Sequence, residues 1–530
     1  MENSLRAQPQ KWVWAHSGGG KGTDQTSSIA TDSAGNLFVT GYYADSAVFS
    51  GVSVGSKKGN HFFLAKYSKD GLLLWIKTSG FASGQSQSTG ITIGKDDYLY
   101  ITGYFFDSLV LDKTILTSLG NEDVFLAKYD LNGNIQWAAS GGGPGYNLTR
   151  SISADKISGN IYITGSFSGT AHFGGKEIKS VGGDDIFFIS YDPSGSVLWA
   201  KNFGSVKDDA GFGITSSKSG DVALTGSFSD TADFGGKKLV AKGRTDIFIA
   251  KYNSQGDLRW AQQAGDTAYG DKSAVVMDEA ENVYVTGRFY YDTPGVVPDC
   301  DGTGNIYIAK YSKTGVRQWM KCAGNGGEES GDAIAIDSSG FIYVTGGYDF
   351  TIDFGSGKIL NSGLIDAFIV KFNSDGVVQW TDHAGGKGDD YGTSLALDRT
   401  GNIFLGGAFS DTSIFGSFSL ISNRLKDAFI AKLATQASIS VFSPAHSHVS
   451  VYPNPAKSSI TIDYANNFKN TAITVDVINI LGVIIKRDIF YVDDTRKSLF
   501  TLLVNDLPRG IYFCRVSTNV WIESRMVAVE

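Results

Sequence analysis

The sequence predicts an all-β fold built from seven copies of one repeat. Its clearest sign is a tryptophan that recurs every 59 to 62 residues: Trp14, Trp75, Trp137, Trp199, Trp260, Trp319 and Trp380. Apolar and polar residues alternate in each copy as strands require, and no stretch shows a helical period. Glycine supplies 66 of 530 residues, which suits many tight turns. Seven copies of four antiparallel strands predict a seven-bladed β-propeller.

The copy in residues 88–141 shows the order of its strands. Residues 91–93 form a short apolar first strand, and residues 98–105, YLYITGYF, form the second. Asp123–Tyr129 is the third strand, and Asn134–Ala139, with Trp137, is the fourth. The turns between first and second strands and between third and fourth strands are short, and most of them contain a glycine that a hairpin turn can use.

The repeat begins with a fourth strand and ends with a third. The fourth-strand pattern first occurs at Trp14, before any first strand, and none follows the third strand that ends at Leu433. We therefore expect Lys11–Gly18 to pair with Asp427–Leu433 and to complete the seventh blade. Such closure would remove the free strand edges of an open ring.

Loop lengths predict two unlike faces of the ring. The connections between second and third strands, and those between blades, are long and by alternation share one face. Function on a rigid scaffold usually resides in such loops. The plainer interpretation is that the segments between second and third strands are only extra hairpins.

Four segments follow from these patterns. Residues 1–10 are a predicted disordered N-terminal remnant, 11–433 the propeller, 434–448 a linker, and 449–530 a small immunoglobulin-like β-sandwich. No apolar run approaches the ~18 residues of a membrane span. Residues 1–10 lack the apolar core of a signal peptide, so export would require a signal that this sequence does not contain.

Charge and cysteine content narrow the function classes. The net charge is −8, with −9 on the first 447 residues, which argues against nucleic acid or an anionic membrane as the main partner. Cys300, Cys322 and Cys514 are too few for a disulfide framework. Cys300 and Cys322 flank one predicted hairpin strand pair, so a single bridge between them stays open.

The tail carries a specific pair of motifs. They are Tyr452-Pro453-Asn454-Pro455 and Leu507-Pro508-Arg509-Gly510-Ile511-Tyr512, with Asn479-Ile480-Leu481-Gly482 between them. The tail thereby resembles the type A C-terminal sorting domain of the type IX secretion system of Bacteroidetes. This resemblance implies that the secretion machinery is a partner, that the protein is extracellular or on the outer-membrane surface, and that the tail is removed. Cys514 and Trp521 depart from ordinary strand residues of that family.

Residues 11–433 are similar to the bacterial SBBP seven-bladed propeller repeats that often precede such tails. That similarity implies the fold but hardly any activity, so function has to be argued from a site.

A polar residue recurs five positions before the first apolar residue of each next blade, in loops expected around the mouth of the central channel. The series is Asp24, Ser86, Asn147, Asp209, Gly270 with Asp271 beside it, Glu329 and Asp390. As a ring, these side chains would bind a polyhydroxylated sugar or a cation such as calcium. The alternative is a solvated acidic rim, or caps for loop amides.

Other recurrent polar residues favour structural roles. Six third-strand lysines, such as Lys128, are expected to pack between blades with the ammonium on a carboxylate or carbonyl. The aspartates that open third strands, such as Asp123, are expected to hold a loop. Asp130-x-Asn132-x-Asn134 mimics part of a calcium loop but lacks its Gly and distal Glu, so a hairpin turn is favoured. The six histidines show no metal-ligand spacing.

Two classes of function remain, with a weaker third. The even spread of features favours a secreted or surface-displayed binding or adhesion protein without catalysis, whose ligand is a glycan or a protein. The alternative is a surface hydrolase or lyase acting on glycans, with Asp209, Glu329 and Asp390 at the channel mouth. The turn-then-Trp pattern also resembles quinoprotein propellers, although no adjacent cysteine pair is present to cover a quinone.

Overall fold

The computed structural model describes residues 11–80, 84–264, 268–269, 273–291, 304–324, 327–434, 449–464, 471–479, 484–492, 499–517 and 522–529. The chain divides into two compact units, residues 1–435 and 436–530, which are described separately. All regular structure in the described ranges is β-strand. Accordingly, these ranges contain no helix that is long and apolar enough to cross a membrane.

The strands of the first half of unit one follow in chain order. They are β1 (Lys11–Gly20), β2 (Gln25–Thr31), β3 (Leu37–Phe49), β4 (Val52–Tyr67), β5 (Leu73–Thr78), β6 (Ser86–Ile93), β7 (Leu99–Leu111), β8 (Thr114–Tyr129), β9 (Ile135–Gly142), β10 (Asn147–Ala154), β11 (Ile161–Phe173), β12 (Lys176–Tyr191), β13 (Val197–Phe203), β14 (Ala210–Ser216), β15 (Val222–Phe228), β16 (Thr231–Asp233), β17 (Lys238–Val240), β18 (Asp246–Tyr252) and β19 (Leu258–Gln263).

The second half of this unit continues the pattern. Its strands are β20 (Ala268–Tyr269), β21 (Ser273–Met277), β22 (Val283–Tyr291), β23 (Gly304–Tyr311), β24 (Arg317–Ala323), β25 (Ser330–Ile336), β26 (Ile342–Tyr348), β27 (Thr351–Asp353), β28 (Lys358–Leu360), β29 (Asp366–Phe372), β30 (Val378–Gly386), β31 (Asp390–Leu397), β32 (Ile403–Phe409), β33 (Thr412–Phe415), β34 (Phe418–Ile421) and β35 (Asp427–Ala434).

Within the described residues these strands pair into seven four-stranded antiparallel groups. Groups 1 to 7 are β2–β3–β4–β5, β6–β7–β8–β9, β10–β11–β12–β13, β14–β15–β18–β19, β21–β22–β23–β24, β25–β26–β29–β30 and β31–β32–β35–β1. Each group therefore has the strand order that the repeat predicts.

The N-terminal strand completes group 7. Lys11 lies opposite Ala434 and Gly18 opposite Ala428, with a register shift between Trp12 and Trp14. The expected pairing of Lys11–Gly18 with the last third strand is confirmed. Both ends of the repeat region are thus hydrogen-bonded in one sheet, which covers the edge of β35.

Apolar clusters join each group to the next in a closed cycle. One cluster contains Tyr162 and Phe188 of group 3 with Phe248 and Tyr252 of group 4. The last step joins group 7, through Trp14, to residues of group 1 such as Leu37. Since each fully buried large side chain stabilises the fold by about 1.5–3 kcal/mol, these clusters hold neighbouring groups together.

Six of the seven recurrent tryptophans contact a turn glycine of the following group. A Cβ built on Gly195 in group 3 would lie 3.1 Å from the ring of Trp137 in group 2. Trp137 also donates its indole N–H to the Pro193 carbonyl at 3.3 Å. The same contact recurs between Trp199 and Gly256. The indoles therefore fill the wedge between groups, as expected.

The third-strand lysines behave as the sequence predicts. Lys128 Nζ donates to Asp96 Oδ2 at 2.6 Å and to the Pro193 carbonyl of the next group at 3.1 Å. Lys66 reaches the Leu131 carbonyl at 3.1 Å. These ammonium groups link one group to the turn of its neighbour.

The long segments between second and third strands are extra hairpins, as the plainer interpretation holds. In groups 1 to 3 they extend the two strands, and in groups 4, 6 and 7 they are the separate pairs β16–β17, β27–β28 and β33–β34. The extension of β3 pairs with the end of β1, and β33 pairs with the end of β30. Extra hairpins and the loops between groups consequently share one side, here called the hairpin face.

The second unit consists of two antiparallel sheets around one apolar core. Its strands are β36 (Val449–Tyr452), β37 (Ser459–Tyr464), β38 (Thr471–Asn479), β39 (Ile484–Val492), β40 (Leu499–Leu503), β41 (Gly510–Ser517) and β42 (Ile522–Val529). The sheet orders are β36–β37–β40 and β39–β38–β41–β42. Ile462 of the first sheet and Val475 of the second belong to the shared core. Cys514 is buried in this core as a free thiol.

Candidate functional site

The polar positions predicted at the channel mouth are enclosed by protein. Five of the six predicted ligand-binding residues are described, and their exposed fractions are 0 or 1%: Asp24, Asn147, Asp209, Glu329 and Asp390. Asp271 lies outside the described residues. All five lie at the base of the hairpin face, where one group passes to the next.

These side chains bind loop backbone. Asp24 accepts hydrogen bonds from Gly20 N at 2.8 Å and Ala44 N at 2.9 Å. Asp209 accepts from Ser205 N at 2.6 Å and Ser229 N at 2.7 Å. Each carboxylate therefore ties the loop between groups to the extra hairpin.

The remaining three positions act similarly. Glu329 accepts from Gly327 N at 2.9 Å, and Asp390 accepts from Gly386 N at 3.0 Å. Asn147 donates its amide to the carbonyls of Gly143 and Gly145. Of the two sequence-based interpretations, this geometry matches caps for loop amides, because a fully enclosed side chain offers no atom to an external ligand.

The carboxylates that open third strands lie against these caps. A Cβ built on Gly19 would lie 2.5 Å from Asp427 Oδ1 and 2.9 Å from Asp24 Oδ2, so the two carboxyl groups face each other across that glycine. At the equivalent place next to group 3, Asn147 Nδ2 lies 3.2 Å from Asp123 Oδ1. An amide and a carboxyl group therefore meet there instead of two carboxyl groups. Asp427 also accepts from Asn423 N at 3.1 Å, confirming that these aspartates hold a loop.

Burial makes the paired carboxyls weak acids. It raises the pKa of Asp24, Asp185, Asp209 and Asp427 to about 6 each. Burial also raises the pKa of Asp390 to about 7, and the nearby Asp366 charge adds to that shift. Since two enclosed carboxylates repel each other, protonation of one relieves the pair. These acids can hold protons near neutral pH, and their side chains are almost wholly enclosed by protein.

A β-bulge interrupts the first strand of most groups and inserts one extra residue there. The register shifts by one residue in six groups, and the extra residues are Ser27, Thr89, Arg150, Phe212, Asp332 and Thr393. Bulges commonly re-aim side chains next to functional sites. Four of these residues are small hydroxyl or acidic residues, whereas groups 3 and 4 place a cation and an aromatic ring side by side.

Arg150 and Phe212 differ in chemistry from the bulge residues of the other described groups. The Arg150 guanidinium carbon lies 5.2 Å from the centre of the Phe212 ring, a cation–π distance. Arg150 is exposed to water although protein surrounds it on most sides, and this enclosure lowers its pKa. The two side chains therefore line a solvent-accessible cleft.

The cleft has a volume of about 840 Å³. It opens on the hairpin face between groups 3 and 4, and its wall includes Asp184, Asp208 and Arg244 beside Arg150 and Phe212. Asp208 Oδ1 accepts a hydrogen bond from Asp184 N at 3.1 Å. Burial raises the pKa of Asp184, and the Asp208 charge acts in the same direction. Donors and acceptors thus converge on one space.

Among the predicted ligand-binding residues that the structure describes, only Asp209 borders this cleft. The sequence interpretation missed Arg150 and Phe212 because both sit inside an ordinary strand pattern. A position-by-position comparison of the copies could have found them, because Arg150 and Phe212 stand at the same position of successive copies. At that position the pairing skips one residue, between Thr149 and Ser151 in one copy and between Gly211 and Gly213 in the next.

The Asp130 turn is a hairpin turn. Asp130 Oδ1 accepts from Asn132 N at 2.9 Å and from Asn134 N at 2.8 Å, while Asn134 donates its amide to Asp130 Oδ2. No three acidic, histidine or cysteine side chains of the described residues converge as a metal site. Cys322 is disulfide-bonded, and Cys300 lies outside the described residues.

The tail motifs close the second unit. Ala528 N donates to Asn454 Oδ1 at 2.8 Å, which joins the first motif to the last strand. Tyr512 donates its hydroxyl to the Pro508 carbonyl at 2.9 Å, so the second motif folds on itself. Asp476 is enclosed between Arg487 and Arg515, and the hydrogen bonds from both arginines lower its pKa.

Two family models match the chain. Residues 18–42 match a β-propeller repeat, and residues 450–529 match the secretion system C-terminal sorting domain. The chain thus contains a match to a β-propeller repeat near its N-terminal end. More particularly, it carries a type IX sorting domain, which directs it to the cell surface or the extracellular space through the type IX secretion machinery.

Curated relatives are distant. A WD repeat-containing protein of Acanthamoeba polyphaga mimivirus is 23% identical over 80% of this chain and 38% of its own length. Regulatory protein FlaEY of Caulobacter vibrioides is 26% identical over 38% of this chain and 23% of its own length. The chain therefore spans less than two fifths of the length of these relatives.

Solved structures show only loose likeness. PorZ, a surface component of the type IX secretion system of Porphyromonas gingivalis, has a TM-score of 0.30 and 10% identity, covering 95% of this chain and 81% of its own. A protein from Bacteroides caccae has a TM-score of 0.31 and 11% identity, covering 59% and 94%. These scores are too low to support an argument about function.

Proposed function

We propose that this chain is a secreted or surface-displayed binding protein without catalysis, whose hairpin face binds a glycan. In this proposal the seven strand groups are the seven blades of one propeller in residues 11–433. Residues 434–448 link it to an immunoglobulin-like sorting domain in residues 449–530. The sorting domain delivers the propeller to the surface, where the cleft meets its ligand.

The observation that carries the proposal is the mixed lining of the cleft between groups 3 and 4. Sugar hydroxyls both donate and accept hydrogen bonds, so they need both kinds of partner. Arg150 supplies donors, while Asp184 and Asp208 supply acceptors. Phe212 adds an apolar surface for the C–H groups of a sugar ring. A protein ligand would be expected to bury a larger surface than a single cleft of this size.

The predicted rim residues have an indirect role in this proposal. Asp24, Asn147, Asp209, Glu329 and Asp390 fix the loops that surround the mouth. Asp209 joins the loop before β14 to Ser229, and both segments line the cleft. Replacing Asp209 would therefore loosen the cleft wall.

A glycan array probed with the full chain tests the proposal. Wild-type protein should give reproducible binding to a defined set of glycans. Arg150→Gln and Phe212→Ala should each lower that signal at least tenfold, because each removes a group that lines the cleft. Thr89→Ala, at the equivalent bulge of group 2, is the matched control and should bind as wild type.

Three results would contradict the proposal. They are no glycan binding by the folded chain, equal binding by all variants, or equal loss in the Thr89→Ala control. Circular dichroism spectra and melting temperatures would establish that each variant is folded.

A second candidate function is glycan hydrolysis or cleavage in the same cleft. It is favoured by the raised pKa of Asp184 next to the exposed Asp208, since glycosidases use one protonated and one ionised carboxyl. Incubation of the bound glycan with wild-type protein distinguishes the two functions. New reducing ends that disappear in Asp184→Asn would establish catalysis, whereas intact glycan supports binding alone.

A further inference from the structure

Phe350 occupies an unusual position at the start of the extra hairpin of group 6. Its side chain is 69% exposed. Its backbone is left-handed, with φ of 55°. A side chain this exposed adds little hydrophobic stabilisation to the fold, and a bulky side chain is rare in the left-handed conformation.

The other copies of this turn use residues that tolerate the left-handed conformation. Four residues after the central glycine of the second strand, the described copies with positive φ have Asp45, Asp107, Gly169, Asp230 and Asp411. The same backbone contact recurs in three groups: Asn361 N donates to the Phe350 carbonyl, Ser422 N to the Asp411 carbonyl and Ala241 N to the Asp230 carbonyl. The hairpin therefore does not need phenylalanine at this position.

Two more exposed apolar side chains lie beside Phe350. Leu360 is 69% exposed and Leu364 is 62% exposed. With Phe350 they line a concavity of about 660 Å³ on the hairpin face. Ile365, only 9% exposed, contributes to its wall. The concavity is large enough to accept an apolar side chain from another molecule.

Charge at the edge of this concavity is acidic. Its charged lining residues are Asp349 and Asp389. Lys426 lies 3.1 Å from Asp389 and partly offsets that charge. The first 447 residues carry −9, so the wider surface also favours cations.

We propose that Phe350, Leu360 and Leu364 form a docking surface for an extracellular protein partner that inserts an apolar side chain flanked by lysine or arginine. The apolar residues supply the anchor and Asp349 supplies the complementary charge, as in interface centres ringed by polar residues. This surface belongs to group 6 and is distinct from the cleft between groups 3 and 4, so the inference goes beyond the proposed glycan binding.

An array of immobilised peptides tests the docking surface. Each peptide carries one Phe, Leu or Trp flanked by Lys or Arg, and a second set carries Glu in the flanks. The full chain should bind the basic set at least tenfold more strongly than the acidic set. Phe350→Asp should weaken binding of the basic set at least tenfold, because it removes the apolar anchor, while the melting temperature stays the same or rises, because aspartate is the residue that most other copies have there.

Leu360→Thr provides a second variant, with Ile421→Thr as its matched control. Ile421 is 73% exposed and has the same place in the hairpin of group 7, opposite Thr412, as Leu360 has opposite Thr351. Leu360→Thr should weaken binding at least fivefold and Ile421→Thr should not. Glycan binding should be unchanged in all three variants.

Several outcomes would overturn the inference. They are no binding of either peptide set, equal binding of both, or binding that survives Phe350→Asp. Self-association in sedimentation experiments that Phe350→Asp abolishes would assign the surface to a second copy of this chain instead. Binding to phosphatidylcholine vesicles that the same substitution abolishes would assign it to lipid.

Discussion

At the scale of single residues, glycine and tryptophan hold neighbouring groups together. Gly195 has φ of 91° and leaves only 3.1 Å between a built Cβ and Trp137. Gly175 has a similar φ of 82° but no atom within 4 Å of a built Cβ. Both glycines have a backbone conformation that disfavours other residues, but only Gly195 also has no room for a side chain. Comparing them therefore distinguishes the effect of backbone strain from the effect of the indole contact.

We expect Gly195→Ala to lower the free energy of unfolding more than Gly175→Ala. The strained backbone alone should cost about 1 kcal/mol in each variant. The alanine at residue 195 must also displace the Trp137 indole, which should add about 1–2 kcal/mol. Urea unfolding followed by tryptophan fluorescence measures both. Equal destabilisation would show that the indole contact contributes nothing.

The buried carboxyls predict an unusual pH dependence. In the folded chain the pKa of Asp390 is about 7, against 3.8 for an unperturbed aspartate. The folded state therefore holds a proton that the unfolded state has released, and stability falls as pH rises from about 4 to 7. Asp390→Asn keeps this position neutral, and Asn147 already occupies the equivalent position in group 3.

Asp390→Asn should therefore reduce the loss of stability between pH 4 and pH 8. Each unit of pKa shift corresponds to about 1.4 kcal/mol, so the difference should amount to a few kcal/mol. Asp398→Asn is the control, because turn hydrogen bonds lower the pKa of Asp398 and place its titration below this range. Urea unfolding at several pH values checks the expectation, and parallel curves for wild type and Asp390→Asn would refute it.

At the scale of elements, closure by β1 is the least local feature of the fold. Removing residues 2–20 would leave the edge of β35 unpaired and take Trp14 out of the cluster between groups 7 and 1. We expect this deletion to lower the melting temperature by more than 10 °C or to cause aggregation, because exposed edges pair with other chains. Removal of residues 2–10 alone should change it little. Differential scanning calorimetry would decide, and similar melting temperatures for both deletions would contradict the expectation.

Most strands could be predicted from the sequence because the same strand pattern occurs in seven copies of the repeat. The fourth-strand pattern at Trp14, before the first complete copy, and the lack of a fourth-strand pattern after Leu433 were enough to predict the pairing of the two ends of the repeat region. The first-strand bulge was not predictable, since an extra residue such as Arg150 shifts the register without any turn signal. The burial of Asp24 was also missed, because an aspartate in a polar loop looks the same whether it caps amides or faces water.

The exposed turn at Phe350 illustrates the same limit. The sequence shows a phenylalanine in a hairpin segment, which usually indicates core. The left-handed backbone that turns it outward depends on the hairpin geometry shared by the other copies, and only the structure brings Phe350 beside Leu360 and Leu364.

At the scale of the whole molecule, the sorting domain determines where the propeller acts. Removal of residues 449–530 should leave the propeller in the cells that export it and prevent its appearance at the surface. The chain without its tail should still be folded, since its strand groups pair among themselves. Protease accessibility on intact cells measures this outcome, and surface exposure without the tail would contradict it.

The proposed glycan binding depends most on the cleft between groups 3 and 4. The most direct test is the dissociation constant of the strongest array glycan for wild type, Arg150→Gln and Thr89→Ala, measured by titration calorimetry in one buffer. Loss of charged hydrogen bonds from Arg150 should cost about 1.5–3 kcal/mol, so Kd should rise at least tenfold. Thr89→Ala should stay within twofold of wild type. An unchanged Kd for Arg150→Gln would show that the ligand binds elsewhere.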